Sequence, residues 1–303
     1  MIYYPEGVND TLCRNFESIK DVKEAMHKGE IIESRALLCD KEHNLHVDLG
    51  AVRGIIPYCE GALGIQEGTV RDIALISKVN KKVCFKIIGF HRDEYNNMVA
   101  VLSRRMVQLE CIRDYIGKLS LGDVVEARVT HLEKFGVFID IGCGINSLIP
   151  IDMLSVSRIT HPNERVYEGQ LIRCVLRKKE EGKLTFSLKE LLGTWQENAD
   201  LYSVGETVTG VVRSIESYGV FIELMPNLAG LAEPCDELRI GQSVSVFIKS
   251  IMSERMKIKL VVVEAFDDIA PVPEIVYFDN REHIDVWNYS PINSSKIVET
   301  RFE

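Results

Sequence analysis

The sequence predicts a mainly β chain in which a small domain is repeated in tandem, and three observations predict it. First, Lys134-Phe135-Gly136-Val137-Phe138-Ile139-Asp140-Ile141 returns almost letter for letter as Ser217-Tyr218-Gly219-Val220-Phe221-Ile222-Glu223-Leu224, 83 residues later. Second, each copy follows a glycine-acid-x-valine start, Gly122-Asp123-Val124-Val125 and Gly205-Glu206-Thr207-Val208, again 83 residues apart. That interval is too long for a helical solenoid repeat and suits a duplicated small domain. Third, the repeated stretch alternates as a strand does. Val137, Ile139 and Ile141 share the core face, with Phe138 and Asp140 on the other. A glycine inside a strand marks a bulge or bend, which is expected to turn Phe135 outward beside Phe138.

The elements follow in order. Residues 1–27 form an N-terminal arm and a short helix, the helix reading from a capping-box start at Ser18 to a terminal glycine at Gly29. Residues 28–103 are a divergent first repeat. Gly29-Glu30-Ile31-Ile32 matches the start, and Val47-Asp48-Leu49-Gly50 matches Ile139-Asp140-Ile141-Gly142 with a one-residue insertion. His43 and His46 then occupy the two aromatic positions and Asn44 the glycine position, where it is expected to take a positive φ. Histidine can stack on a base, and a histidine in an exposed turn can equally be merely solvated. Lys78, Lys81, Lys82, Lys86, Arg92, Arg104 and Arg105 make this repeat the most basic.

Residues 104–119 carry apolar side chains at helical spacing and read as a helical linker. The second repeat spans 120–189, with Gly142-Cys143-Gly144 as a turn, a polar loop over 155–168, and closing strands over 171–177 and 183–188. A second helical linker covers 190–203, with Trp195 as packing between domains. The third repeat covers 204–264. An acidic C-terminal extension, 265–303, carries a charge of −5 out of the whole chain's −9. In it Pro271 and Pro273 act as breakers, and 275–278 with 284–289 are apolar enough for a short hairpin.

Composition bounds the function. A chain of 303 residues with 46% apolar content forms two or three ordinary folded cores. No long apolar run or leader pattern is present, so a soluble cytoplasmic protein without a membrane partner is expected. Eight scattered cysteines without a Cys-x-x-Cys pair support neither a disulfide framework nor a zinc site, and no cofactor or metal is expected. The acidic net charge argues against binding nucleic acid through bulk positive charge. Phosphate-loop, His-Glu-x-x-His and Gly-x-Ser-x-Gly signatures are missing, so catalysis is not expected.

Glycine-x-x-valine, aromatic-Gly-x-Phe and the closing Phe186-Ser187-Leu188-Lys189 together resemble the RNA-binding domain family named for ribosomal protein S-one. The resemblance implies three tandem five-stranded OB-fold barrels joined by short helical linkers, with a short C-terminal extension. It also implies binding of single-stranded RNA, such as mRNA, by base stacking with a basic rim, a role in translation or mRNA handling, and association with the small ribosomal subunit. The aromatic positions carry over to Phe135 and Phe138, and to Tyr218 and Phe221. The basic position opening the last strand carries over to Lys183 and Lys257, with Lys179 in the same hairpin as Lys183. His43 and His46 are the first repeat's counterparts. The family's third-strand histidine is not matched: Pro57, Pro150 and Glu233 stand there. The competing reading is a protein-interaction scaffold that keeps the fold with little RNA affinity, motivated by the acidic balance, the altered first repeat and Glu233; the acidic tail is then a candidate contact for a protein partner.

Overall fold

A computed structural model describes residues 3–180, 182–235, 237–269, 272 and 274–303. Strands β1 (Ile32–Cys39), β2 (Leu45–Asp48), β3 (Arg53–Ile56), β4 (Lys82–Arg92) and β5 (Met98–Ser103) close into a barrel in the order β1-β2-β3-β5-β4. Two further five-stranded barrels follow. The second is formed by β6 (Val124–Glu133), β7 (Gly136–Asp140), β8 (Asn146–Pro150), β9 (Leu171–Glu180) and β10 (Lys183–Ser187). The third contains β11 (Thr207–Glu216), β12 (Gly219–Met225), β13 (Leu228–Ala232), β14 (Gln242–Met252) and β15 (Lys257–Ile269). Each barrel closes through one parallel pairing of its third and fifth strands. Closure removes the free sheet edges that a five-stranded antiparallel sheet would expose.

The chain divides into two compact units, Met1–Leu119 with Asp140–Asn146, and Ser120–Ile139 with Ser147–Glu303. In the first unit, helix α1 (Ile19–Lys28) starts at Ser18, whose hydroxyl accepts from the Asp21 N–H, and stops at Gly29 in the left-handed conformation. A short helix α2 (Ile73–Ile76) precedes β4, and α3 (Arg104–Asp114) follows β5 with Val107 and Cys111 buried. Residues 3–17 pack onto this unit. Phe16 bridges Gly50, and Glu6 lies buried in a two-pronged ion pair with Arg104, at 2.7 and 3.0 Å. Lys78 also reaches Glu6, and Lys82, Lys86 and Arg105 pair with Asp10, Glu110 and Glu67. Most of the expected basic surface of the first repeat is thus engaged with the chain's own acids.

In the second unit the linker folds as a 3-10 turn at Lys189–Leu191 and helix α4 (Trp195–Ala199), capped by a reciprocal Thr194–Glu197 box. Trp195 is buried in a core that the third barrel shares with Ile284, Trp287, Tyr289 and Phe302 of the extension. The expected 275–278/284–289 hairpin does not form. Instead β16 (Val286–Asn288) pairs antiparallel with β17 (Glu299–Arg301), while 275–278 runs without strand structure and Tyr277 accepts the Arg173 N–H on its hydroxyl. Pro271 and Pro273 lie outside the described residues. No helix among the described residues is long and apolar enough to cross a membrane.

Candidate nucleic-acid interface

The repeated aromatic pairs have the same geometry in the second and third barrels. Phe135 and Tyr218 sit in the tight turns before β7 and β12, and are 56% and 64% exposed. Phe138 and Phe221 stand half-buried two residues into those strands. The rings meet edge to face, Phe135–Phe138 at 6.0 Å and 88°, Tyr218–Phe221 at 6.2 Å and 89°. Val137, Ile139, Val220 and Ile222 between and beyond them are fully buried, as alternation requires.

The glycine's role differs from the one expected. No bulge falls at Gly219; the register shift lies in the partner strand, between Val212 and Ser214. Instead, a Cβ on Gly136 would collide with the Ile149 carbonyl, and one on Gly219 with the Ala232 carbonyl. Glycine lets the third strand's backbone pass close behind the turn, and the aromatic points out because it belongs to that turn. Asp140, expected beside Phe138 on the solvent face, is buried and accepts from the N–H groups of Glu6, Gly142 and Gly144.

Strand register shows which residues flank the pairs. In the third barrel Phe221 lies opposite Leu231, Leu231 opposite Lys259, and Lys259 opposite Ser250. Directly paired residues share a face, so these four form one row across the outer surface. The matching row of the second barrel holds Leu148, Thr185 and Lys178 beside Phe138's strand. That of the first barrel is His46, Ile55, Val101 and Gly89. His46 is therefore the structural counterpart of Phe138 and Phe221. Lys183 and Lys257 open β10 and β15, both exposed, and Lys179 is exposed on β9. Glu233 is exposed just past β13.

The first barrel presents a different environment. The positive φ falls on His43 (62°) and not on Asn44, because Asn44 instead holds the loop together, bonding Asp40 and accepting from the Tyr58 N–H. His43 packs on Tyr58 at 5.8 Å and lies 3.5 Å from Asp72, whose other oxygen accepts from the Tyr58 hydroxyl at 2.6 Å. His46 lies 3.0 Å from Asp40. Burial works to raise the Asp40 carboxyl, but the hydrogen bonds from His46, Asn44 and the Glu42 N–H outweigh it and hold it well below the usual carboxylate range. Two carboxylates thus face the two imidazoles. Tyr58 is an aromatic of this site that the motif did not reveal, since it follows the third strand and has no aromatic counterpart in the motif.

Among the described residues no cluster of His, Cys, Asp and Glu is arranged to hold a metal, and all eight cysteines are free thiols. The site is a set of outward aromatic pairs on barrels that also carry exposed lysines, a surface suited to π-faces and phosphates.

Tandem closed barrels bearing outward aromatic pairs define a class of oligonucleotide-binding-type proteins. Within it, residues 118–189 match the family model described as the S1 RNA binding domain, so the resemblance read from the motifs is borne out. Over most of its length the chain is similar to small ribosomal subunit protein bS1 of Leuconostoc lactis, 28% identical over 251 residues, covering 77% of this chain and 56% of that protein. It is likewise similar to the bS1 homolog of Bacillus cereus, 29% identical and covering 74% and 60%, and to that of Bacillus subtilis, 27% identical and covering 80% and 65%. The chain spans between 56% and 65% of the length of these curated relatives.

Proposed function

We propose that this chain is a non-catalytic, single-stranded RNA-binding protein of the ribosomal S1 type, working in translation or mRNA handling in the cytoplasm. The observation that carries the reading is the recurrence of one exposed edge-to-face aromatic pair in two successive barrels, the first inside the segment that matches the S1 RNA binding domain. Bases stack on Phe135 and Phe138 and on Tyr218 and Phe221, each stacked base contributing about 1–3 kcal/mol. Lys179, Lys183 and Lys257 supply phosphate contacts at the rims, and the two barrels together hold an extended strand more tightly than either alone. The bS1 relatives support association with the small ribosomal subunit. His43 and His46 are left out of the proposed face, since Asp72 and Asp40 lie against them and oppose a phosphate.

The test is fluorescence anisotropy of a labelled single-stranded RNA across a salt series, with wild type beside a Phe135→Ala, Phe138→Ala, Tyr218→Ala, Phe221→Ala variant whose fold is checked by circular dichroism. Binding that weakens with salt and drops at least a hundredfold in the folded variant supports the reading. Equal binding by both, or none by either, rejects it in favour of a protein-interaction scaffold.

A further inference from the structure

We infer that Lys178 in the second barrel and Lys259 in the third are further backbone-holding cations of the two RNA faces, each taking one phosphate in addition to those at the rims, an assignment that rests on the RNA-binding reading. Neither occupies the motif's basic position. That position, at the start of the last strand, is Lys183 and Lys257, and both lie one pleat away from the aromatic row: Lys183 opposite Glu180 on β9, Lys257 opposite Met252 on β14.

In the second and third barrels the row itself contains one lysine. In the third barrel it is Lys259 on β15, two strands from Phe221 across the half-buried Leu231. At ~4.8 Å per strand the Cα atoms stand about 10 Å apart, well inside the ~4–16 nucleotides that one such barrel covers. In the second barrel the place of Lys259 is taken by Thr185 on β10, and the cation stands one strand further on as Lys178, directly opposite Thr185 on β9. Both lysines are exposed. The acid contact of Lys178, Glu180 at 3.7 Å, is an exposed pair of the kind that contributes little, so phosphate can displace it. The first barrel's row holds His46, Ile55, Val101 and Gly89, with no permanent cation at all.

The one-strand shift has a chemical consequence. Counted from the third strand, Lys178 stands two strands from Leu148 while Lys259 stands one strand from Leu231, so the two barrels hold a phosphate at different places on their rows. Each lysine then accounts for one neutralised phosphate, and salt dependence reads that count directly, with a slope of about −0.7 per phosphate for a single strand.

The experiment measures RNA affinity from low to moderate salt for wild type, Lys178→Gln, Lys259→Gln, their double variant, and Lys23→Gln, which removes an exposed lysine of helix α1 as a control for net charge. Each row variant is expected to flatten the slope by about 0.7 and the double by about 1.4, with Lys23→Gln unchanged and all variants melting like wild type. If wild type binds in an aromatic-dependent way but the row variants match Lys23→Gln, this assignment is overturned while the RNA-binding reading stands. If wild type does not bind RNA, both fall together.

Discussion

Arg165, in the loop between β8 and β9 of the second barrel, donates to the carboxylate of Glu223 on β12 of the third, and the two side chains are only 2% and 4% exposed. Glu223 also accepts from Arg213, at 2.9 and 3.0 Å, and Arg213 reaches Glu164 of the same second-barrel loop. Buried charges are tolerated only when each has partners, and here two guanidiniums share two carboxylates. Beside them, Asn227 accepts from the Val156 N–H and donates to the carbonyls of Lys189 and Gly193, while Ser157 donates its N–H to Pro226. The second and third barrels are thereby fixed in one unit.

Removing one member of this ion cluster strands the others. Glu223→Ala is expected to destabilise the chain by about 3–5 kcal/mol, read as a lower midpoint in urea unfolding. Replacing all four residues together with apolar side chains of similar volume should cost far less; an equal cost would show that packing, and not stranded charge, dominates at this joint.

The extension acts as a strap across the second unit. Ile284 is fully buried and donates its N–H to the Gly122 carbonyl, the Glu282 carbonyl accepts the Val124 N–H, Tyr289 donates its hydroxyl to the Asn227 carbonyl, and Phe302 lies under Arg177. Ile284→Ala should cost about 2–5 kcal/mol. Limited proteolysis checks it: the variant is expected to be cut within the extension at protease levels that leave wild type intact.

Stability should fall as pH rises through the range just below neutral. Burial raises the Glu33 carboxyl to about 7, against the opposing Gly7 N–H, with the Glu6 charge adding to the rise, and one of its oxygens is buried without a hydrogen-bond partner. A folded-state value above the unfolded one, near 4.5, means that the folded chain holds its proton longer. The stability so gained is present at about pH 4.5 and is lost as pH climbs to about 7. Glu33→Gln should therefore raise the melting temperature at pH 8 and flatten the profile between pH 5 and 7; an unchanged slope there would reject the assignment. Glu6 acts oppositely and in a lower window. Burial raises it, but Arg104 and Lys78 outweigh this and hold it well below the usual range, so its contribution is lost only as pH falls below about 4.5.

The glycines that open the aromatic strands β7 and β12 should tolerate no side chain. Gly136→Ala and Gly219→Ala each drive a Cβ into a neighbouring carbonyl, and a loss of about 1–3 kcal/mol is expected from the forced shift. Chemical denaturation measures it. His43→Ala and His46→Ala, by contrast, should leave RNA affinity within about twofold of wild type, well under the 1.4 kcal/mol that a tenfold change represents.

Local chemistry made much of this protein legible in its sequence. Alternation at period two placed Val137, Ile139, Val220 and Ile222 inside, and the Ser18 cap with Gly29 bounded α1, because these depend on neighbours a few residues away. The return of one stretch after 83 residues marked a duplicated domain, and its aromatic-glycine-x-phenylalanine motif pointed to the family. Which strand lies beside which, and which surface covers another, depends on partners far along the chain. So only the tertiary structure paired 286–288 with 299–301, buried Asp140 on the face that alternation assigned away from the core, and turned the positive φ onto His43. It alone put Lys259 and Lys178 in the aromatic rows on different strands, because cross-strand register is set by barrel closure and by shifts such as the one at Arg213, which no short window of sequence encodes.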